Sequence, residues 1–189
     1  MNTIHVLFKF AINPYKGIEI DTTSSSGKYS DLSPFKLNAT KYGAKNFENL
    51  WQFSKVYAQH VLYDGTISKD WYKWRDNGFN NQQAIRYPIG KGAKPYFSYW
   101  NGEQLTYIEA RKKIYVPIYA ELVKETNSFK LLKELYEKNN ILVLRDYDAY
   151  DHIKFRITLK EVINNPDKKC GHAFILAMIL QNELEECIK

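Results

Sequence analysis

Ile4 to Phe10 alternates loosely between apolar and polar side chains, the pattern of a first strand. Residues 22–33, TTSSSGKYSDLS, are polar and glycine-containing and read as a loop. Beyond it, Phe47, Leu50, Trp51, Ser54, Tyr57, Ala58 and Val61 recur at helical spacing and make one continuous, mostly apolar face. This predicts a helix capped by Asn46, running to about Tyr63 and broken by Asp64-Gly65. Thr106-Tyr-Ile-Glu109 is a capping-box pattern that starts a second helix, and Pro117 should kink or divide it. Ser128 is expected to cap a third helix, which Asn139-Asn140 ends. Ile141 to Arg145 is a short apolar run, best read as a buried strand. Ile153, Phe155, Ile157 and Leu159 then alternate with Lys154, Arg156, Thr158 and Lys160, a clear period of two. An apolar helix from about Gly171 to Ile188 closes the chain. The elements predict an α+β class: one compact domain, mostly helical with a few short strands.

Composition narrows the function classes. A chain of 189 residues is long enough to bury a real core as one domain. Rings are plentiful, with 15 Tyr, 10 Phe and 4 Trp against 2 Met and 2 Cys. A net charge of +6 permits an anionic partner without demanding one. No apolar run approaches membrane-spanning length and MNTIHVLFKF lacks a signal-peptide pattern, so a cytoplasmic setting with no membrane partner is expected. Cys170 and Cys187, without a CxxC, indicate neither a disulfide framework nor a zinc site. The acidic spacings fit no calcium loop, so neither a metal nor a cofactor is expected. Acyl-transfer hydrolysis has little support, because no Ser-His-Asp or Cys-His arrangement is visible. His5, His60 and His172 each sit among apolar residues and read as packing residues.

Three patterns carry chemistry. Glu48, Gln52, Lys55 and Gln59 fall on one side of the predicted Phe47 helix, within a sector about 60° wide. A surface helix normally gives water a broader polar face, yet an ordinary solvated stripe has the same periodicity. The segment ILVLRDYDAYDH puts Asp146, Asp148 and Asp151 directly after a buried strand, a place that suits both site carboxylates and plain turns. Between roughly Trp71 and Glu103 the chain looks long and turn-rich, with Trp71, Trp74, Tyr87, Tyr96, Tyr99 and Trp100 among Arg75, Arg86, Lys91 and Lys94. That mixture suits phosphate neutralisation with base stacking, or equally a ring-rich core.

Glu48-x-x-x-Gln52-x-x-Lys55 resembles the E-H-x-x-Q-x-x-K helix of the NADAR family, and Ser33-Pro34-Phe35 stands where that family often carries Pro-Phe. Ile114 to Leu135 is similar to the family's helix pair, Asp146 and Asp151 match the spacing of its E-x-x-x-x-D, and the terminal helix with Met178 is similar to its last helix. The order holds across roughly residues 29–180. Asn49 replaces the usual His, no Trp-Gly follows Asp151, the terminal motif is not clean and the basic aromatic insert at 71–104 is unusual, so the resemblance is to a divergent, phage-type branch.

The resemblance implies an N-glycosidase acting on ADP-ribose-like substrates, of the kind that frees guanine in nucleic acid from ADP-ribose or cleaves a base–ribose bond in riboflavin metabolism. In that reading Lys55 attacks the sugar, Glu48 handles protons or sugar hydroxyls, and Gln52 orients the ribose. Asp151, with Asp146 behind it, supplies the second acid. Trp51 and Tyr29 are further substrate contacts. Arg86, Lys91, Lys94, Tyr99 and Trp100 would follow a nucleic-acid strand, favouring ADP-ribosylated DNA as the partner and a phage or antitoxin setting. A non-catalytic single-strand-binding protein and a metabolic N-glycosidase are the alternatives.

Overall fold

The Ile141–Arg145 run becomes the central strand of a three-stranded parallel sheet. The computed structural model describes residues 2–189. It begins with β1 (Thr3–Phe8) and β2 (Ile18–Asp21), followed by α1 (Phe47–Phe53) and the two-residue β3 (Lys55–Val56). Next come α2 (Lys69–Asn80) and a hairpin of β4 (Phe97–Trp100) and β5 (Glu103–Leu105). A helical rod follows, made of α3 (Tyr107–Ala110), a π turn over Arg111–Tyr115, and α4 (Val116–Lys124). After α5 (Asn127–Lys138) and β6 (Ile141–Asp146), the chain finishes with α6 (Leu159–Asn164), α7 (His172–Leu180) and α8 (Leu184–Ile188).

β6 lies between β1 and β2, parallel to both, with Leu142, Val143 and Leu144 wholly buried. A strand covered on both faces has no polar alternation, which is why this run reads as continuous apolar sequence. α7 packs against β1 and β6. Its residues His172 to Met178 are all buried, so it is a core helix and not an amphipathic surface one. The second sheet is antiparallel, in the order β3-β4-β5. The protein is an α+β fold, mostly helical with small sheets.

Several sequence expectations shift in physically instructive ways. Asn46 does cap α1, accepting from the Asn49 N–H at 2.9 Å, but the helix stops at Phe53 instead of Tyr63. The chain after it is captured by β4: Lys55 pairs with Ser98 and Val56 with Phe97, while the Tyr99 N–H donates to the Ser54 carbonyl at 2.8 Å. Thr126, not Ser128, caps α5; Ser128 instead donates its hydroxyl to the Lys28 carbonyl at 3.0 Å. The period-two stretch 153–160 is no strand. Thr158 and Glu161 form a reciprocal capping box that starts α6, Arg156 takes a left-handed φ of 56°, and Ile153 and Phe155 are exposed. The closing helix divides where Asn182 turns left-handed at φ 58°. Pro117 marks a division as expected. The widened π turn lies immediately before it, where the missing N–H and the ring's clash with the preceding turn are absorbed.

The stretch 71–104 is also more ordered than its composition suggests, because about half of it is α2 and the β4–β5 hairpin. Trp71 is wholly buried and its indole N–H donates to the Lys55 carbonyl at 2.9 Å. Tyr99 meets the Trp71 ring edge-on at 5.5 Å, and Trp100 tilts over Tyr42 at 6.4 Å. These rings serve packing. α2 reaches α1 through Gly78, where a Cβ would fall 2.0 Å from a Phe53 ring carbon. Gly78→Ala would gain helix propensity, yet is expected to destabilise the fold by about 1–3 kcal/mol through overpacking. Urea denaturation measures this directly, and a gain in stability would contradict the α1–α2 contact.

Candidate active site

A cavity of about 520 Å³ opens beyond the carboxyl end of β6, where parallel sheets commonly gather ligands. Its wall takes Glu48, Trp51 and Gln52 from α1, Lys55 from β3, Thr23 and Ser24 after β2, and Pro34 and Phe35 from the segment before α1. Arg86 and Tyr87 enter from the loop after α2, and Asp146, Tyr147, Asp148 and Lys169 to His172 close the other side.

The polar row of Glu48, Gln52 and Lys55 survives the early end of α1. The Lys55 ammonium donates to Gln52 Oε1 at 2.7 Å, and Gln52 Nε2 donates to Glu48 Oε1 at 2.9 Å. An ammonium can only donate, so the amide must turn its oxygen to Lys55 and its NH₂ to the carboxylate. Lys55 Nζ also stands 4.8 Å from the centre of the Trp51 ring. Glu48 is only 5% exposed. Burial raises its carboxyl above the ordinary value, against the Gln52 hydrogen bond and the charges of Lys55 and Arg86. Burial likewise pushes Lys55 down to about 8, although Glu48 opposes it. Desolvation moves both groups toward their neutral forms.

Asp146 sits in the wall but is fully engaged. His172 Nδ1 lies 3.0 Å from its Oδ2, and the Ala173 and Asp148 N–H groups donate to it at 3.2 and 3.3 Å. His172 Nε2 meets the Thr22 carbonyl and hydroxyl oxygen, both at 2.9 Å, while that hydroxyl donates to the Arg145 carbonyl at 2.7 Å. Both ring nitrogens therefore face acceptors, the arrangement of an imidazolium. Burial alone would lower His172, but the Asp146 carboxylate raises it above its ordinary value. Burial would raise Asp146, and His172 with the two N–H groups holds it below. Read from the sequence as a second acid and a packing residue, the two are an ion pair that builds the wall.

Asp151 is not in the cavity. It faces the other way, accepting from the Tyr15 hydroxyl and lying 3.5 Å from His5 Nδ1, with the His5 and Tyr15 rings stacked at 3.4 Å. That bond pushes the Tyr15 phenol up to about 12. Asp148 takes the place expected for Asp151, because the turn after β6 aims residue 148 into the cavity. Tyr29 lies outside as well, half-buried against the core beneath the Lys28 ammonium. Of the five insert residues, Arg86 alone reaches the wall; Lys91 and Lys94 are exposed beyond it, and Tyr99 and Trp100 are packed as above.

Two supporting residues had no local signal. Asn49, at the position where the resembled family carries His, donates to the Asn81 and Gln83 carbonyls at 3.0 and 2.8 Å and accepts from the Ile85 N–H at 2.8 Å. It pins the loop that delivers Arg86. Arg111 is 1% exposed and donates to the carbonyls of Ile163, Asn165 and Lys168 at 3.1, 2.7 and 2.6 Å. It pins the loop that delivers Lys169. Gly171 has no alternative here, since a Cβ would lie 2.2 Å from Asp146 Oδ2. Among the described residues, no group of three or more His, Cys, Asp or Glu is arranged to hold a metal ion, and no helix is long and apolar enough to cross a membrane.

No protein-family model matches the chain, and comparisons with curated proteins and with solved structures find no match either.

Asn49→Ala is expected to cost about 3 kcal/mol, from the three hydrogen bonds of this buried side chain at roughly 1 kcal/mol each. Hydrogen exchange should show the Ile85 amide losing protection, because its acceptor is gone. Unchanged stability and protection would mean that the 81–86 loop is held by something else.

Proposed function

We propose that the protein is an N-glycosidase that removes ADP-ribose from modified guanine in nucleic acid, with Lys55 as its nucleophile. The observation that carries the reading is a lysine whose amine burial brings down to about 8, joined through one amide to a buried carboxyl inside a ligand-sized cavity. The resemblance of Glu48, Gln52 and Lys55 to the NADAR helix supplies the substrate class.

The reactive state is the neutral pair, Lys55 as amine and Glu48 as acid, which desolvation favours for both. The Nζ lone pair forms a bond to C1 of the ribose as the C1–base bond breaks. The bonding electrons leave with the base, which takes the Glu48 proton. A proton passes from nitrogen to the ring oxygen, the sugar ring opens, and C1 and Nζ are joined as an iminium. Water adds to C1, the amine departs, and the released proton returns to Glu48. Gln52 orients the amine throughout, and Trp51 walls it from water.

A small phosphorylated N-glycoside is the second reading. Tyr99 and Trp100 turned into the fold favour it, because a strand of nucleic acid loses two of its expected stacking platforms. Tyr87 and Tyr96 stay exposed, so a purely binding role would have to rest on those two rings. An oligonucleotide carrying ADP-ribosylated guanine separates the readings when compared with a small nucleotide N-glycoside, with products resolved by mass.

Cyanoborohydride added during turnover should fix the iminium as a stable amine linking sugar and Lys55. Lys55→Arg, which cannot act as an amine nucleophile at neutral pH, should abolish the adduct. The reactive pair needs Lys55 deprotonated and Glu48 protonated, so the covalent step should quicken as pH rises toward about 8 and slow again once Glu48 gives up its proton. Adduct formation in Lys55→Arg equal to wild type would move the nucleophile elsewhere. A rate still climbing steeply past pH 10 would deny the desolvated amine, since that is the behaviour of an ordinary lysine at about 10.4.

A further inference from the structure

The mouth of the cavity holds two cations on one carboxylate. Arg86 Nη2 lies 2.6 Å from Asp148 Oδ2, and Lys169 Nζ lies 2.8 Å from Asp148 Oδ1. The three residues come from separate segments: the loop pinned by Asn49, the turn after β6, and the loop pinned by Arg111. One carboxylate cannot neutralise two cations, so the cluster keeps a net positive charge. None of its members is sealed from water, with side-chain exposures of 31% for Arg86, 33% for Asp148 and 70% for Lys169. The contacts can therefore exchange for others without burying an unpaired charge.

We infer that Arg86 and Lys169 form a diphosphate-binding clamp, and that Asp148 is its placeholder, holding both cations in position until phosphate oxygens displace it. A guanidinium presents a planar fork that matches two oxygens of one phosphoryl group, and an ammonium binds the neighbouring one as a point charge. Asp148 itself opposes the ligand twice over, by occupying both cations and by repelling the incoming anion. Its backbone is not free to withdraw: the Asp148 N–H donates to Asp146 at 3.3 Å and its carbonyl accepts from the Gly171 N–H at 3.0 Å. The side chain competes from a fixed point. Lys91 and Lys94, exposed outside the wall, have no part in this subsite.

The inference rests on the glycosidase reading only for which phosphorylated ligand arrives, so the tests separate the two. Titration calorimetry with inorganic pyrophosphate and with ADP-ribose probes the clamp without any turnover. Arg86→Ala and Lys169→Ala should each weaken both ligands about tenfold, the effect of losing one charge-assisted hydrogen bond. Asp148→Asn keeps the side-chain shape and should tighten both. Adenosine, which has no phosphate, should respond to none of the three changes. Thermal melting confirms that each variant is folded. Pyrophosphate and ADP-ribose affinities that ignore the loss of Arg86 and Lys169, or that fall in Asp148→Asn, would overturn the clamp. So would failure of both ligands to bind the wild type. Clamp behaviour without any N-glycosidase turnover would leave the clamp standing and remove the proposed reaction. Turnover with an unchanged KM in the two alanine variants would do the reverse.

Discussion

The pairing of Asp146 with His172 is the constraint on which the cavity depends. Asp146 ends the central strand of the parallel sheet, His172 begins the core helix α7, and the far side of the imidazole is bound to Thr22, just beyond β2. One buried ion pair therefore ties together the ends of three elements that lie far apart in the sequence. An unpartnered carboxylate at that depth would cost several kcal/mol, and the same holds for an unpartnered imidazolium. Each group justifies the other, and Gly171 makes room for the contact. With the pair in place, the turn after β6 has little freedom, and it sends residue 148 into the cavity while residue 151 goes to the opposite side.

Much of this arrangement was written locally and could be read. β6 announced itself because a strand buried on both faces needs no polar alternation. The Asn46 cap and the Thr106–Glu109 capping box satisfy backbone groups within a few residues, so their signals are short-range. The row Glu48, Gln52 and Lys55 was legible for the same reason, even though Lys55 turned out to stand on a strand. What could not be read was decided at a distance. Helix α1 ends where it does because β4, some forty residues later, offers hydrogen bonds to Ser54 and Val56. Tyr99 and Trp100 looked like stacking platforms because an aromatic ring destined for a core and one destined for a ligand have the same composition. Asp148 and Asp151 differ only in the path of a turn.

The supporting cast was illegible for a related reason. Asn49 and Arg111 each collect backbone carbonyls from a loop that is remote in sequence, Arg111 while also lining the cavity. Polar side chains that close loops carry no motif, since their partners are main-chain atoms that every residue has. They nonetheless decide which charged residues reach the cavity. Arg86 arrives because Asn49 holds its loop, and Lys169 arrives because Arg111 holds the other.

The cavity then assigns opposite tasks to like residues through hydration alone. Lys55 and Lys169 both line it, and the proposed reaction would use the same side chain in two incompatible forms. At the floor, burial against Trp51 strips water from the Lys55 ammonium and brings its pKa down to about 8, leaving an amine that can share electrons with carbon. At the mouth, Lys169 remains in contact with water and with Asp148, where a fixed positive charge is what an anion needs. A site of uniform depth could not hold both. Were the mouth as dry as the floor, its cations would be driven toward neutrality or locked onto Asp148, and were the floor as wet as the mouth, Lys55 would stay protonated. The gradient from exposed ion pairs to a desolvated amine is therefore the physical feature on which the proposed reaction depends, since it would let one small cavity hold a charged group at its entrance and keep an uncharged amine at its base.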